Sequence, residues 1–220
     1  MFDKSFAFLK SLSQNNNREW YHANKSLYND AKEEFEHVTE LLLHETTAFD
    51  KGLAGLTPGD CIFRIFRDVR FSPDKTPYKT NFGTFLTRGG KKAGFAGYYL
   101  HVEPGASFIA GGIYMPPSHI LRAVRNDIFE HIDEYKMIIN APGIANNFGE
   151  LSGDKLKNPP KGFPGDFPDI DLLKFKSYGF SKMKTDKEMT DDSILQEIVT
   201  GFRHLHPFVR FLNEAIASAG

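Results

Sequence analysis

Residues 95–103 alternate without a break, and this limits the fold more than any other feature of the chain. Ala96, Tyr98, Leu100 and Val102 fall on one face of an extended segment, and Tyr99, His101 and Glu103 fall on the other. Pro104 and Gly105 turn the chain, and residues 107–114 return as a second strand with glycines at 111 and 112. Residues 81–87 read as the strand before, joined through the basic hairpin loop Arg88-Gly89-Gly90-Lys91-Lys92. Strands linked by short turns imply an antiparallel meander. Residues 178–184 read as one more strand.

A similar alternation runs through residues 61–71 and predicts a half-buried strand there. Cys61, Phe63, Ile65, Val69 and Phe71 share one side with Arg67, and Ile62, Arg64, Phe66, Asp68 and Arg70 share the other. A turn with Pro73 and Pro77 follows.

Both ends of the chain change period. Phe2, Phe6, Leu9 and Leu12 have helical spacing. Asn16 with Glu19 three later forms a capping-box pattern. A long amphipathic helix is expected after it, carrying Trp20, Leu27, Ala31, Phe35, Val38 and Leu42 and ending near Glu45. Pro116, Pro117 and Ser118 open a helix with Ile120, Val124, Ile128 and Ile132, and residues 132–140 make a short one. Residues 141–170, rich in Gly, Pro and Asn, read as a long ordered loop, and 171–176 as a helical turn. Thr190 caps an acidic first turn, and the chain ends in helical segments. The expected fold is α+β: an antiparallel β-meander packed with N-terminal and C-terminal helices. With 220 residues and no linker, residues 1–220 are expected to form a single domain.

The 21 phenylalanines promise a core of aromatic rings. A formal net charge of −1 gives no global pull toward nucleic acid or membrane, so any anion site must come from a local cluster. The lone cysteine, Cys61, allows neither an internal disulfide nor a cysteine zinc cluster, and heads an apolar face where it packs. With no signal-peptide pattern and no run near the roughly 18 apolar residues of a membrane span, a cytoplasmic protein is expected.

The densest chemistry lies in residues 64–80. Arg64, Arg67, Arg70, Lys75 and Lys79 stand against Asp68 and Asp74, with Tyr78 beside them. Guanidinium forks suit carboxylates and phosphates, and an arginine on an apolar side must be paired or face a cavity. Two readings stand side by side: an anion-binding site, or a lattice of ion pairs that shapes the turn. Tyr99, His101 and Glu103 are the second constellation. They fit an acid–base pair, two ligands of a metal for which the sequence points to no third, or, more plainly, a hydrated sheet face. Asn24 is the third, on a stripe between Trp20 and Tyr28 spaced by four, where an amide binds a ligand or ties down a loop. His204 and His206, two apart on a helix, do not face each other. Gly89-Gly90 is too short for a phosphate loop.

These residues resemble a known family. Asn16-Asn17-Arg18-Glu19-Trp20 with Asn24-Lys25 and Tyr28 opens the resemblance, and Arg64-Ile65-Phe66-Arg67-Asp68-Val69-Arg70-Phe71-Ser72-Pro73-Asp74-Lys75-Thr76-Pro77-Tyr78-Lys79 continues it. Gly97 to Pro104, Gly111 to Pro116 and Pro160 to Phe163 complete it. The chain is similar to the bacterial and fungal conserved hypothetical proteins classed as domain of unknown function 2461. That resemblance implies one α+β domain and supports reading the blocks as one region. It assigns no catalytic residue, cofactor or substrate. Phe66 and Pro73 stand where such blocks more usually carry Tyr and Lys, which leaves one hydroxyl and one charge fewer.

The leading expectation is binding, or acid–base or hydrolytic processing, of a small phosphorylated or carboxylated ligand in a basic cleft. Arg64, Arg67, Asp68, Arg70, Asp74, Lys75, Tyr78, Lys79, Tyr99, Tyr114 and Asn24 would line it, and His101 or Glu103 would transfer protons. No metal or cofactor is expected. A protein-interaction scaffold ranks second and a nucleic-acid-binding module third. The residues say nothing of oligomeric state.

Overall fold

In the computed structural model, which describes residues 1–218, four strands pair in chain order. β1 (Phe82–Thr87), β2 (Gly97–Val102), β3 (Ser107–Ile113) and β4 (Tyr178–Lys184) form one antiparallel sheet, β1-β2-β3-β4. All four strands match the expected segments. The helices before the sheet are α1 (Asp3–Gln14), α2 (Arg18–Ala23), α3 (Lys25–Thr47) and the single turn α4 (Pro58–Cys61). Between β3 and β4 come α5 (Ser118–Glu130), α6 (Ile132–Ile139), α7 (Pro142–Phe148) and α8 (Ile170–Leu173). After β4 come α9 (Asp186–Thr190) and α10 (Ile194–Ala217). The chain is a single α+β domain. Among the described residues no helix is long and apolar enough to cross a membrane.

The register explains why one sheet face is greasy and the other mixed. Leu100 stands between Thr84 and Ile109, and Tyr98 between Leu86 and Gly111, so the apolar set of β2 meets apolar or small neighbours on both sides. Helix α10 lies against this inner face, with Phe202 beside Tyr98 at a 5.2 Å centroid distance. Two glycines let it come close. A Cβ on Gly111 would sit 2.9 Å from Leu205 Cδ1, and one on Gly201 would sit 2.7 Å from Ile109 Cδ1. Helix α3 covers β1, stacking Phe35 on Phe82 at 5.3 Å, and α1 packs outside α3. The core is aromatic, as the phenylalanine count foretells.

Five expectations are corrected. Residues 61–71 are not a strand: Cys61 closes α4, and only isolated bridges, Ile62 to Thr84 and Phe66 to Tyr78, tie the rest to its neighbours. Phe71 is 94% exposed, so the apolar side of that alternation is not buried along its length. The long second helix is broken at Asn24, whose side-chain and backbone N–H groups both donate to the Trp20 carbonyl, each at 2.9 Å. The cap of α2 is Asn17, which accepts from the Trp20 N–H at 2.9 Å. Asn16 instead clamps both backbone groups of Tyr78. Finally, residues 141–170 contain helix α7, and Thr190 ends α9 rather than starting a helix; the α9 cap is Thr185.

Candidate functional site

The outer face of the sheet carries the second constellation. Residues of one face line up across the register: Phe85, Tyr99 and Ala110, then Gly83, His101 and Phe108. His101 sits at the centre. Its Nε2 is 3.0 Å from Glu103 Oε2, and its Nδ1 is 2.9 Å from the Tyr99 hydroxyl. A carboxylate only accepts, so Nε2 carries the hydrogen and Nδ1 accepts a hydrogen bond from the Tyr99 hydroxyl. The Asn81 amide stands 3.4 Å from the same Nδ1. Thr80 closes the chain by donating to Glu103 Oε1 at 2.6 Å. The result is one continuous path, Tyr99–His101–Glu103–Thr80.

Packing holds this path in place. The imidazole stacks on Phe108 at 4.7 Å with 15° between the planes, and its side chain keeps only 15% of its exposure. Tyr99 leans along the strand over Gly83, where any Cβ would lie 2.5 Å from the tyrosine oxygen. Burial first, and then the Glu103 charge, push the Tyr99 hydroxyl up to about 12, so it donates and does not ionise near neutrality.

The basic segment divides in two. Arg67 turns back into its own loop, donating to Asp74 and to the Thr76 hydroxyl. Asp68 takes Arg70 through two nitrogens at 2.9 and 2.6 Å, and Lys75 caps the Val69 carbonyl at 3.0 Å. These groups form an internal lattice. Arg64 and Lys79 remain, and neither forms an ion pair among the described residues. Lys79 lies over the Phe63 ring at 5.6 Å, and that ring meets Tyr99 at 6.3 Å, so this cation borders the His101 face. Burial and the nearby Arg64 charge lower its affinity for a proton.

Other expected site residues lie elsewhere. Tyr78 is a core residue, stacked on Tyr21 at 4.2 Å. Asn24 is spent on the helix break. Tyr114 lies just past the end of β3 and is 84% exposed. Cys61 is fully buried, and burial pushes its thiol up to about 11. Two surface cavities, of about 530 and 350 Å³, open beside α3 and between α7 and α10, away from the basic segment. Sequence reasoning missed Thr80 and Asn81. Both immediately precede β1, and only the pairing of β1 with β2 brings them to His101 and Glu103.

A family model described as a conserved hypothetical protein, DUF2461, matches residues 4–211. No curated protein and no solved structure matches the chain.

Proposed function

The chain belongs to the DUF2461 family of conserved hypothetical proteins, and we propose that its outer sheet face binds a small phosphorylated or carboxylated ligand in the cytoplasm. Lys79 and Arg64 hold the anion, and the His101–Glu103 pair serves acid–base or hydrolytic chemistry on it. The observation that carries this reading is the half-buried path Tyr99–His101–Glu103–Thr80, bordered through Phe63 by Lys79, which forms no ion pair among the described residues and feels the charge of Arg64. A ligand hydroxyl that displaces Tyr99 would meet the Nδ1 lone pair of a ring already oriented by Glu103. Phe63 and Phe108 give the ligand an apolar wall.

The test is the melting temperature against phosphates, sugar phosphates, nucleotides, carboxylates and short nucleic acids. A ligand bound only by the native state stabilises it by about 2.7 kcal/mol at one hundred times Kd. One anion class should raise the transition, and Lys79→Ala with Arg64→Ala should abolish the shift while the ligand-free transition stays. A shift that survives both substitutions removes the ligand from this face. A shift confined to nucleic acid, falling steeply with salt, would replace this reading with the nucleic-acid one.

A second reading, a protein-interaction scaffold, draws on the internal lattice of the turn and on Phe71, 94% exposed at its tip. It predicts no shift with any small anion.

A further inference from the structure

The opposite side of the sheet carries a second histidine on a tyrosine and a carboxylate, built differently. Helix α10 places Arg203, His206 and Arg210 three and four residues apart, along one stripe. His206 Nδ1 lies 2.8 Å from the hydroxyl of Tyr98, and that hydroxyl lies 3.0 Å from Asp50 Oδ2. The Tyr98 hydrogen belongs to Asp50, because a carboxylate only accepts. His206 Nδ1–H therefore donates to Tyr98. Its Nε2 is left with a lone pair and has no hydrogen-bond partner among the described residues. His101, by contrast, has both nitrogens occupied.

Two arginines share the stripe of α10 with this imidazole, and the charge of each is felt by it. The Arg203 guanidinium lies 4.5 Å from the centroid of Phe49, and the same ring stands edge-on to the His206 imidazole at 5.5 Å. Phe49 thus contacts both Arg203 and the His206 ring. Arg203 forms no ion pair among the described residues. Arg210 is tied only to Glu214, at 3.7 Å between two groups more than half exposed, an arrangement of little strength. Burial first, and then Arg210 and Arg203, disfavour the imidazolium form, against the opposing charge of Asp50.

The chemistry of the three groups selects the ligand. Two guanidinium groups offer only donors, and the bare Nε2 offers only an acceptor. A ligand that satisfies all three must present several anionic oxygens and one shareable proton. A carboxylate near neutral pH has no proton to give, and neither has sulfate. A phosphate group, with a second pKa of about 6, takes up a proton close to neutrality far more readily than either, and so can present both. We propose that Arg203, His206 and Arg210 form a phosphate-binding site, with the guanidinium groups on the anionic oxygens and the proton of the phosphate shared with His206 Nε2. Binding there is coupled to proton uptake.

The site is separate from the face of His101, so its test is read at His206. Imidazole nitrogen and carbon resonances would be followed at neutral pH while inorganic phosphate, sulfate or acetate is added, with His206→Gln identifying the signal. Phosphate should shift the His206 resonances saturably and raise the pH at which they titrate. Sulfate and acetate should bind about tenfold more weakly, the scale of one charge-assisted hydrogen bond. Arg203→Gln and Arg210→Gln, both at exposed positions, should each weaken phosphate about tenfold, and Lys79→Ala should not. Absence of a saturable phosphate shift, equal binding of sulfate, or full affinity in both arginine variants would overturn the site. Loss of the shift in Lys79→Ala would place the anion on the other face.

Discussion

Arg67→Ala strips several partners at once from the turn that follows it: the Asp74 carboxylate, the Thr76 hydroxyl and, more distantly, Ser72. Residues 68–77 should exchange their amide hydrogens faster while the sheet amides keep their protection. The same node sets an acid response. The Thr76 backbone N–H, then the Arg67 and Thr76 side chains, hold Asp74 at about 2 against an ordinary 3.8. A carboxylate held low favours the folded turn above its ordinary value and loses that contribution as the pH falls through the held one. The Thr76 amide resonance should thus titrate with a midpoint near 2, and in Arg67→Ala the midpoint should rise toward 3.8. A midpoint already near 3.8 in the native protein would show that the turn is not held this way.

At the scale of elements, the close approach of α10 to β3 sets the molecule's thickness. Gly201→Ala adds helix propensity worth about 1 kcal/mol. It also drives a methyl to 2.7 Å from Ile109 Cδ1 and 3.3 Å from the Phe148 ring, both buried. Overpacking of this kind costs about 1–3 kcal/mol, so the variant should unfold at a lower denaturant concentration than the native chain. A gain in stability would mean that Ile109 has room to turn. What could be read in advance follows the same logic. The alternation of β2 was legible because a half-buried strand must alternate, and it delivered Tyr99, His101 and Glu103 to one face. The alternation of residues 61–71 misled. Period two shows which way side chains point, and only a neighbouring ladder makes a strand, which Pro73 and Pro77 cannot supply with donors. The break at Asn24 was hidden because no glycine or proline marks it; a side-chain amide competing for a helix carbonyl does. Helix α7 was hidden by its composition, since Pro142 begins it and the burial of Ile144 and Phe148 holds it. Spacing along α10 separates His206 from His204 and says nothing of its partner Tyr98, which lies 108 residues away in the chain.

At the scale of the whole molecule, the core runs from Phe2 to Ile216 as one cluster, joining α1 and α10 to the sheet. The N-terminal ammonium reaches the Thr190 carbonyl at 3.3 Å. Trp20, the single tryptophan, packs on Phe8 at 6.2 Å and reports on the contact of α1 with α2. Its fluorescence and the far-ultraviolet circular dichroism should follow one coincident urea transition. An earlier fluorescence change would mark the N-terminal helices as a separately melting layer. The strand β2 has a further meaning. Tyr98 and Tyr99 are neighbours in sequence, yet the pleat sends one toward Asp50 and His206 and the other toward His101 and Glu103. One peptide bond is the partition wall between the two clusters. An insertion or deletion of one residue inside β2 would trade their furnishings, so neither can be remodelled by shifting the strand without dismantling the other.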